Sequence, residues 1–412
     1  MLSGSTNRHG DTAPPALPSP VRQALGAQAE ALPAGGSPAR LWLTEPSPGE
    51  RVVVKVLYGR DGIVDGHDLD SFVLKPQQIR AVHRRLPVLS PHYVRTIGEW
   101  RGPGWAAYAM PYHAGEPLTV LLDRPDADLP AFTERLRTIL RPLSEHGYAA
   151  DRQPAPPDHF GTTHVDRLRR RLPLLAQHLD PALFTADRVT VNGRSCRTVP
   201  RLIDALADDR LARLMRPGRL SFPLHGDLIL GNLLVDADRF LVLDPRGTLQ
   251  PWDPVYDLAK SLFSLTVFEQ AIAGGFVVRR STGSLDEPRY EVSLRAGRAT
   301  YLTAAAQFVP LLEGLPFAAE LDRDDPDWRT RLLVVHAVHC LAEAACRLSD
   351  RKHREYGDVH GWDACRMLAT GLCLVALMLL EELVSTGASV TARTHLGWLG
   401  PELVRTAGPH SA

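Results

Sequence analysis

The chain has 412 residues, of which 44% are hydrophobic, so it can bury a substantial core and is long enough for two or three domains or lobes. Lysine plus arginine and aspartate plus glutamate both number 47, and the resulting net charge of zero argues against general nucleic-acid binding, which needs a basic surface. Five cysteines without a Cys-x-x-Cys pair argue against a disulfide framework or a structural zinc site and favour a reducing cytoplasm.

Two segments bear on targeting and membranes. Residues 1–20 are polar, rich in Pro, Ser and Gly, and lack the apolar region of a signal peptide, so we predict a disordered tail. The longest apolar run, residues 367–380, contains Thr370 and Gly371 and is followed by two glutamates. It is too short for a membrane span, and we predict a buried core helix and no membrane contact.

The region after the tail is predicted to be small and rich in β-structure. A helix is expected over residues 21–31 and another from Pro76. Turns rich in Pro or Gly separate four β-rich segments that predict two hairpins: residues 40–44, 51–58, 93–100 and 105–110. Lys55 interrupts the second of these segments, where a charged side chain is costly unless it has a partner.

Residues beyond 113 are predicted to be mostly helical. Periodic apolar patterns indicate helices over residues 130–146, 298–309, 328–348 and 363–385. His336 and His339 lie one helical turn apart within this region. Their neighbours are apolar, so we interpret them as core histidines rather than metal ligands.

One motif carries the chemistry. Asp227 in His225-Gly226-Asp227 is followed by Asn232 five positions later and by Asp244 seventeen positions later. Phosphoryl transfer needs this set: the first Asp orients or deprotonates the attacking hydroxyl, while the Asn and the second Asp hold magnesium. Residues 233–243 predict a hairpin that returns Asp244 to the loop of Asp227. Alternatively, Asp227 could cap a helix and Asp244 could lie in an Asp-Pro turn. Each alternative accounts for one residue, but together they do not account for the spacing of Asp227, Asn232 and Asp244.

These blocks resemble the catalytic region of the aminoglycoside phosphotransferase family, and residues 253–260 resemble its Asp-Leu-Ala segment. The resemblance implies an α+β, two-lobed protein-kinase-like fold. It also implies a small β-rich N-lobe over residues 21–113, which binds the nucleotide. The larger, mostly helical C-lobe, residues 114–406, would carry the catalytic loop and the acceptor site. ATP or GTP and magnesium are expected in the cleft between the lobes.

The resemblance also assigns further site residues. His225 is expected to position the catalytic loop. The phosphate-covering loop and the hinge that binds the base are expected to include Gly35, Gly36, Ser37, Met110 and Tyr112. The three loop residues equally fit an ordinary turn, since they lack the full glycine pattern.

Lys55 matches the strand lysine that pairs the nucleotide phosphates, although an edge-strand lysine that discourages aggregation explains it too. The family's helix glutamate, which pairs with this lysine, has no counterpart here. Gln77 or Gln78 is a candidate replacement, and so is Asp68 or Asp70 from the preceding loop.

The implied function is transfer of a γ-phosphate onto a hydroxyl of a small molecule, such as an antibiotic, a sugar or another natural product. One alternative is a kinase-like enzyme that phosphorylates Ser or Thr of a peptide during natural-product maturation. Another is a pseudokinase-type nucleotide-binding or scaffold protein, which the missing glutamate favours and the intact motif disfavours. The sequence does not indicate an oligomeric state.

Charge patterns leave the acceptor open. An acidic group indicates either a cationic acceptor or the cap of a helix, and we prefer the helix cap, with Asp325 at the cap position. The group consists of Glu320, Asp322, Asp324, Asp325 and Asp327. Two basic groups leave room for an anionic partner: Arg167, Arg169, Arg170 and Arg171, and Arg347, Arg351, Lys352, His353 and Arg354. For the first of them, a solvated helix face is the preferred interpretation.

Overall fold

The computed structural model describes residues 16–26, 28–32, 37–60, 62–236, 239–281, 287–400 and 403. Within these residues, the N-lobe is built on an antiparallel five-stranded sheet of order β1-β2-β3-β5-β4. Its elements are helices α1 (Ser19–Leu25) and α2 (Leu69–Arg85) and strands β1 (Ala29–Leu32), β2 (Arg40–Thr44), β3 (Val52–Tyr58), β4 (Gly98–Gly102) and β5 (Trp105–Pro111).

The two faces of this sheet are covered by different elements. Alternation along β3 sends Val54 and Val56 to the face where Leu17 and α1 pack. The intervening positions, Lys55 and Leu57, therefore lie on the other face, towards α2. Leu17 is buried, so residues 16–20 of the predicted tail are a packed part of the lobe.

Helix α2 begins seven residues earlier than the sequence predicts. The Asp68 side chain caps it by accepting a hydrogen bond from the backbone N–H of Ser71 at 2.7 Å, and Pro76 lies inside the helix. Lys75, which the prediction left outside the helix, is consequently a helical residue. Its side chain faces the cleft.

The C-lobe is mostly helical. Its helices are α3 (Val120–Asp123), α4 (Leu129–Pro142), α5 (Asp166–His178), α6 (Ala182–Thr185), α7 (Val199–Leu206), α8 (Asp209–Leu214), α9 (Pro254–Phe263), α10 (Glu269–Gly274), α11 (Ala299–Glu313), α12 (Pro316–Asp324), α13 (Trp328–Asp350), α14 (Gly361–Thr386) and α15 (Ala392–Gly397). Short π-helical or 3-10 segments occur at Ser90–His92, Leu143–Tyr148, Gly161–Val165, Leu230–Asn232, Ser264–Phe268 and Gly387–Ser389.

The C-lobe strands form small sheets. They are β6 (Glu116–Pro117), β7 (Arg188–Val191), β8 (Arg194–Arg197), β9 (Leu233–Asp236), β10 (Arg239–Val242), β11 (Phe276–Ser281), β12 (Arg289–Leu294), β13 (Glu355–Tyr356) and β14 (Val359–His360). Strands β9 and β10 form the hairpin predicted between the two catalytic motifs, and β6, which follows the interlobe segment, pairs with β9. The hairpin thus lies directly beneath the connection between the lobes.

Helices α13 and α14 pack against each other at the centre of the C-lobe. By length and composition, both are long and apolar enough to cross a membrane, and the bent pair α11 and α12 also passes this test. Within the protein, however, the most apolar windows of α13 and α14 are 100% and 78% buried, respectively. The apolar run predicted as a core helix lies within α14.

Candidate active site

The loop that carries Asp227 is held by hydrogen bonds on both sides. His225 Nε2 donates to the carbonyl of Leu243 at 2.7 Å, and its Nδ1 accepts from the backbone N–H of Asp227 at 3.2 Å. Burial lowers the pKa of His225, so the ring is neutral, as these two bonds require. His225 therefore ties the Asp227 loop to the end of the β9–β10 hairpin.

The segment that resembles the family's Asp-Leu-Ala motif supports the same loop from below. Asp257, in the first turn of α9, accepts hydrogen bonds from the backbone N–H groups of His225 at 3.1 Å and Gly226 at 2.6 Å. Burial raises the pKa of Asp257 to about 7. Gly226 has φ 76°, and a Cβ there would come within 2.8 Å of Arg246, so only glycine fits.

Asp227 has a cationic neighbour that the sequence did not reveal. Lys260 Nζ lies 3.0 Å from Asp227 Oδ1 and comes from α9, one turn after Asp257. Burial alone would raise the pKa of Asp227, but Lys260 and Lys75 outweigh it and lower the pKa to about 2. Asp227 is thus a carboxylate at neutral pH, suited to accepting a hydrogen bond from a hydroxyl. The available signal was the spacing of three residues from Asp257 along one helix.

Asn232 and Asp244 lie beside this loop. The Asn232 side-chain amide donates from Nδ2 to the carbonyl of Asp227 at 2.8 Å, so its oxygen Oδ1 is not used in that bond. The backbone N–H of Leu243 donates to the carbonyl of Asn232 at 2.9 Å, so the hairpin brings the two motifs together. Asp244 follows with a left-handed φ of 54°.

Two lysines of the N-lobe bind Asp244. Lys55 Nζ lies 2.5 Å from Oδ2, and Lys75 Nζ lies 2.7 Å from Oδ1. Burial would raise the pKa of Asp244, but the two ammonium groups hold it far below its usual range. Burial lowers the pKa of Lys55 despite this ion pair.

The partner of Lys55 is therefore Asp244, and none of the four candidates named from the sequence takes that place. Gln78 instead joins α2 to two other backbone segments. Its Nε2 donates to the carbonyl of Leu224 and, at 3.2 Å, to that of His225. Its Oε1 accepts from the backbone N–H groups of Gly247 at 2.7 Å and Thr248 at 3.0 Å. Gln78 thus fastens α2 to both catalytic loops.

The residues expected to bind the nucleotide differ in where they lie relative to the catalytic residues. Ser37 lines the cavity described next, whereas Gly35 and Gly36 lie outside the described residues. Met110 is 8% exposed and packs in the core between the sheet and α2. The backbone N–H of Tyr112 donates to the carbonyl of Arg51 at 2.9 Å, and the Arg51 guanidinium lies 3.9 Å from the Tyr112 ring centroid. Neither Met110 nor Tyr112 is among the residues that line that cavity.

A cavity lies in front of Asp227 and Asp244, and both residues line it. The cavity is bordered by the segment between β3 and α2 and by the end of α13. Asp65 in that segment binds Arg171 on α5, and His67 Nδ1 lies 2.8 Å from Asp350 Oδ1 on α13. The N-lobe is thereby attached to the C-lobe around the cavity.

Comparison with known proteins identifies the family. A model of the phosphotransferase enzyme family (APH) matches residues 28–292, which is more than half of the chain. The chain belongs to this phosphotransferase family. Among solved structures, the phosphotransferase is similar to the kinase domain of PknI from Mycobacterium tuberculosis, with a TM-score of 0.29, 12% identity and coverage of 83% of this chain and 92% of that chain. A double mutant of that domain gives 14% identity at the same coverage and TM-score. No curated protein matched.

Kinase-like phosphotransferases generally use ATP and magnesium, and the donor atoms of this phosphotransferase fit that ion. Magnesium prefers oxygen ligands and is usually held by one or two carboxylates together with phosphates and water. Asp244 and Asn232 Oδ1 offer such a set. In the part of the chain that the structure describes, no group of three or more His, Cys, Asp or Glu side chains is arranged to hold a metal by itself. His336, for example, bonds Thr266 and His395 in the core, and burial lowers its pKa to about 3.

Of the charge interpretations made from the sequence, one is wrong and another is wrong in part. Asp325 is not the cap of α13: its carboxylate binds the buried Arg331, and Asp327 occupies the cap position without a side-chain bond. The acidic group does not line the cavity. In the basic group of α5, Arg169 and Arg170 are exposed as expected. Arg167 and Arg171 are only 4% and 2% exposed, because residues four apart share one helix face and this face packs on the C-lobe core.

Proposed function

We propose that this phosphotransferase moves the γ-phosphoryl group of ATP or GTP onto a hydroxyl of a small molecule. The observation that carries the proposal is the convergence of Asp227, Asn232 and Asp244, with Lys55 across the cleft. Asn232 and Asp244 would hold magnesium, which neutralises phosphate charge when bound. Lys55 would hold the nucleotide phosphates.

Asp227 is proposed to orient the acceptor hydroxyl. A carboxylate whose pKa is about 2 is a weak base at neutral pH. Phosphoryl transfer passes through a loose transition state in which positioning and electrostatics dominate, so a strong base is not required before transfer. Lys260, 3.0 Å from Asp227, places a positive charge where the transferring group and the hydroxyl meet.

A small acceptor is supported by the family match over residues 28–292 and by the resemblance of the catalytic motifs to those of aminoglycoside phosphotransferases, whose acceptors are small molecules. A Ser- or Thr-bearing peptide is therefore the second choice. We also propose that the protein is cytoplasmic and that it binds neither nucleic acid nor membranes.

One observation favours a nucleotide-binding protein without turnover. Both carboxylate oxygens of Asp244 are bound by lysines, so a magnesium ion must compete with at least one ammonium group. Calorimetry of MgATP binding combined with measurement of ADP release separates these functions. Binding without ADP release, in the presence of a broad panel of hydroxyl compounds and peptides, would favour the pseudokinase-type alternative.

The proposal is tested by following the γ-phosphoryl group from labelled ATP into the panel. Wild type is expected to label a small molecule and not a peptide. Asp227→Asn should lose this transfer while still binding MgATP. Asp236→Asn is the matched control, because Asp236 pairs with Arg239 on the exposed hairpin and is not among the residues that line the cavity.

A further inference from the structure

One carboxylate at the cavity is surrounded by three guanidinium groups. Asp65 Oδ1 accepts from Arg171 Nε at 3.0 Å and Nη2 at 2.8 Å. Asp65 Oδ2 lies 3.7 Å from Arg167 Nε and 3.7 Å from Arg246 Nη2. We call Arg167, Arg171 and Arg246 the arginine cluster.

The cluster belongs to the rigid C-lobe, whereas its carboxylate does not. Arg171 also donates to the carbonyl of Ala342 on α13 at 2.7 Å, and Arg167 and Arg246 each donate to Tyr256 Oη, at 3.0 and 2.8 Å. Asp65 comes from the N-lobe segment between β3 and α2. Its side chain is 42% exposed, compared with 2–13% for the three arginines.

The cluster has more positive charge than Asp65 neutralises. Three buried guanidinium groups face a single carboxylate, that of Asp65. Arg167 Nε, although buried, makes no hydrogen bond to any residue that the structure describes. Buried cations are costly unless they are paired and hydrogen-bonded, so the cluster has capacity for a further or larger anion.

The cluster is also adjacent to the reacting group. Arg246 packs against Gly226, the residue before Asp227, and its backbone N–H donates to the carbonyl of His225 at 2.9 Å. An anion held by Arg246 and Arg167 would therefore lie in the cavity that Asp227 also lines. Guanidinium groups bind carboxylates and phosphates through paired, charge-assisted hydrogen bonds.

We infer that the arginine cluster binds an anionic group of the acceptor, a carboxylate or a phosphate, and that Asp65 occupies this place when the acceptor is absent. This inference rests on the proposed function, whose acceptor it specifies as an anionic hydroxyl compound. Displacing the Asp65 side chain breaks its bonds to Arg171 and weakens the attachment of the N-lobe segment to α5, which then depends on the bond from Arg171 Nη2 to the Asp65 carbonyl at 2.7 Å. Binding of the acceptor anion and movement of that segment are then coupled.

The test uses inorganic phosphate and, separately, acetate as probes. The full-length protein is first saturated with magnesium and a non-hydrolysable ATP analogue, so that the nucleotide phosphates fill their own site. Calorimetry then measures the Kd of each probe. The two arms distinguish a phosphorylated acceptor from one that bears a carboxylate.

Asp65→Asn removes the competing charge and should lower the Kd of at least one probe about tenfold relative to wild type. Asp68→Asn is the control, because Asp68 lines the same cavity but caps α2. Arg246→Gln in the Asp65→Asn background should abolish the gain. If Asp65→Asn is poorly folded, the probe should raise its melting temperature more than that of wild type.

Equal probe affinity in wild type and Asp65→Asn, with no difference in thermal rescue, would overturn the inference. Asp65 would then be a permanent attachment between the lobes. That failure differs from failure of the proposed function, which would appear earlier as no saturation by the nucleotide analogue, or as no ADP release with any acceptor.

Discussion

Replacing Gln78 by glutamate tests how α2 is fastened to the catalytic loops. If Gln78 were the partner of Lys55, a glutamate there would restore the family's usual ion pair and be tolerated. In the structure, the Gln78 amide instead donates to the carbonyls of Leu224 and His225. Gln78→Glu removes both donors and places a carboxylate against two carbonyl oxygens, so we expect a less stable and less active protein.

The expected loss is about 2–4 kcal/mol in the free energy of unfolding. Each lost buried hydrogen bond contributes about 1 kcal/mol, and a carbonyl left without a donor adds about 1–3 kcal/mol. The bonds from the backbone N–H groups of Gly247 and Thr248 to Oε1 are retained, which limits the loss. A protonated glutamate keeps one donor, so the difference from wild type should shrink as the pH is lowered.

Urea denaturation and ADP release measure the effect. Gln77→Glu adds the same charge at the neighbouring, less buried position of α2, and it should change the free energy of unfolding by less than about 0.5 kcal/mol. The reasoning is refuted if the Gln78 and Gln77 variants are equally stable, or if Gln78→Glu raises turnover.

Other substitutions test individual roles. Asp227→Asn should lower turnover at least about a hundredfold with unchanged nucleotide affinity. A wild-type rate of ADP release in this variant would show that Asp227 does not orient the acceptor hydroxyl. Lys55→Ala should raise the nucleotide KM and lower kcat, because the phosphates lose a cation. Unaltered kinetics would show that Lys55 has only a structural role in its strand. Burial opposes the charge of His67, but Asp350 raises its pKa from 6.5 to about 10. Its contribution to stability is thus complete below pH 6.5 and lost as the pH rises towards 10. His67→Gln should accordingly cost about 1–2 kcal/mol at pH 6 and little near pH 10.5, and a pH-independent difference in urea denaturation would contradict this.

Sequence pattern was informative where local chemistry decides the structure. The apolar runs on either side of residues 236–239 predicted the β9–β10 hairpin, because two short apolar runs joined by a polar turn are typical of a hairpin. That hairpin made the spacing of Asp227, Asn232 and Asp244 interpretable as one site. The structure brings these three residues together as expected, although their chemical roles remain predictions.

The residues that sequence analysis missed are those whose partners come from distant segments. The sequence pattern does not single out Lys75, because Pro76 predicts the start of α2, whereas the Asp68 cap begins the helix earlier. Gln78 was one of four candidates for the partner of Lys55, but the orientation of α2 directs it to the backbone of the catalytic loops. The burial of Arg167 likewise depends on how α5 packs, which its local sequence does not specify.

The central claim is that Asp227 and Asp244 form a working phosphoryl-transfer site. Mass spectrometry can follow an ¹⁸O-labelled γ-phosphoryl group from ATP and magnesium into a pool of small hydroxyl compounds. We predict a labelled small-molecule product with wild type, and none with Asp227→Asn or Asp244→Ala. A labelled product formed equally by wild type and both variants would contradict the claim, as would wild type that binds MgATP but transfers no label to any acceptor.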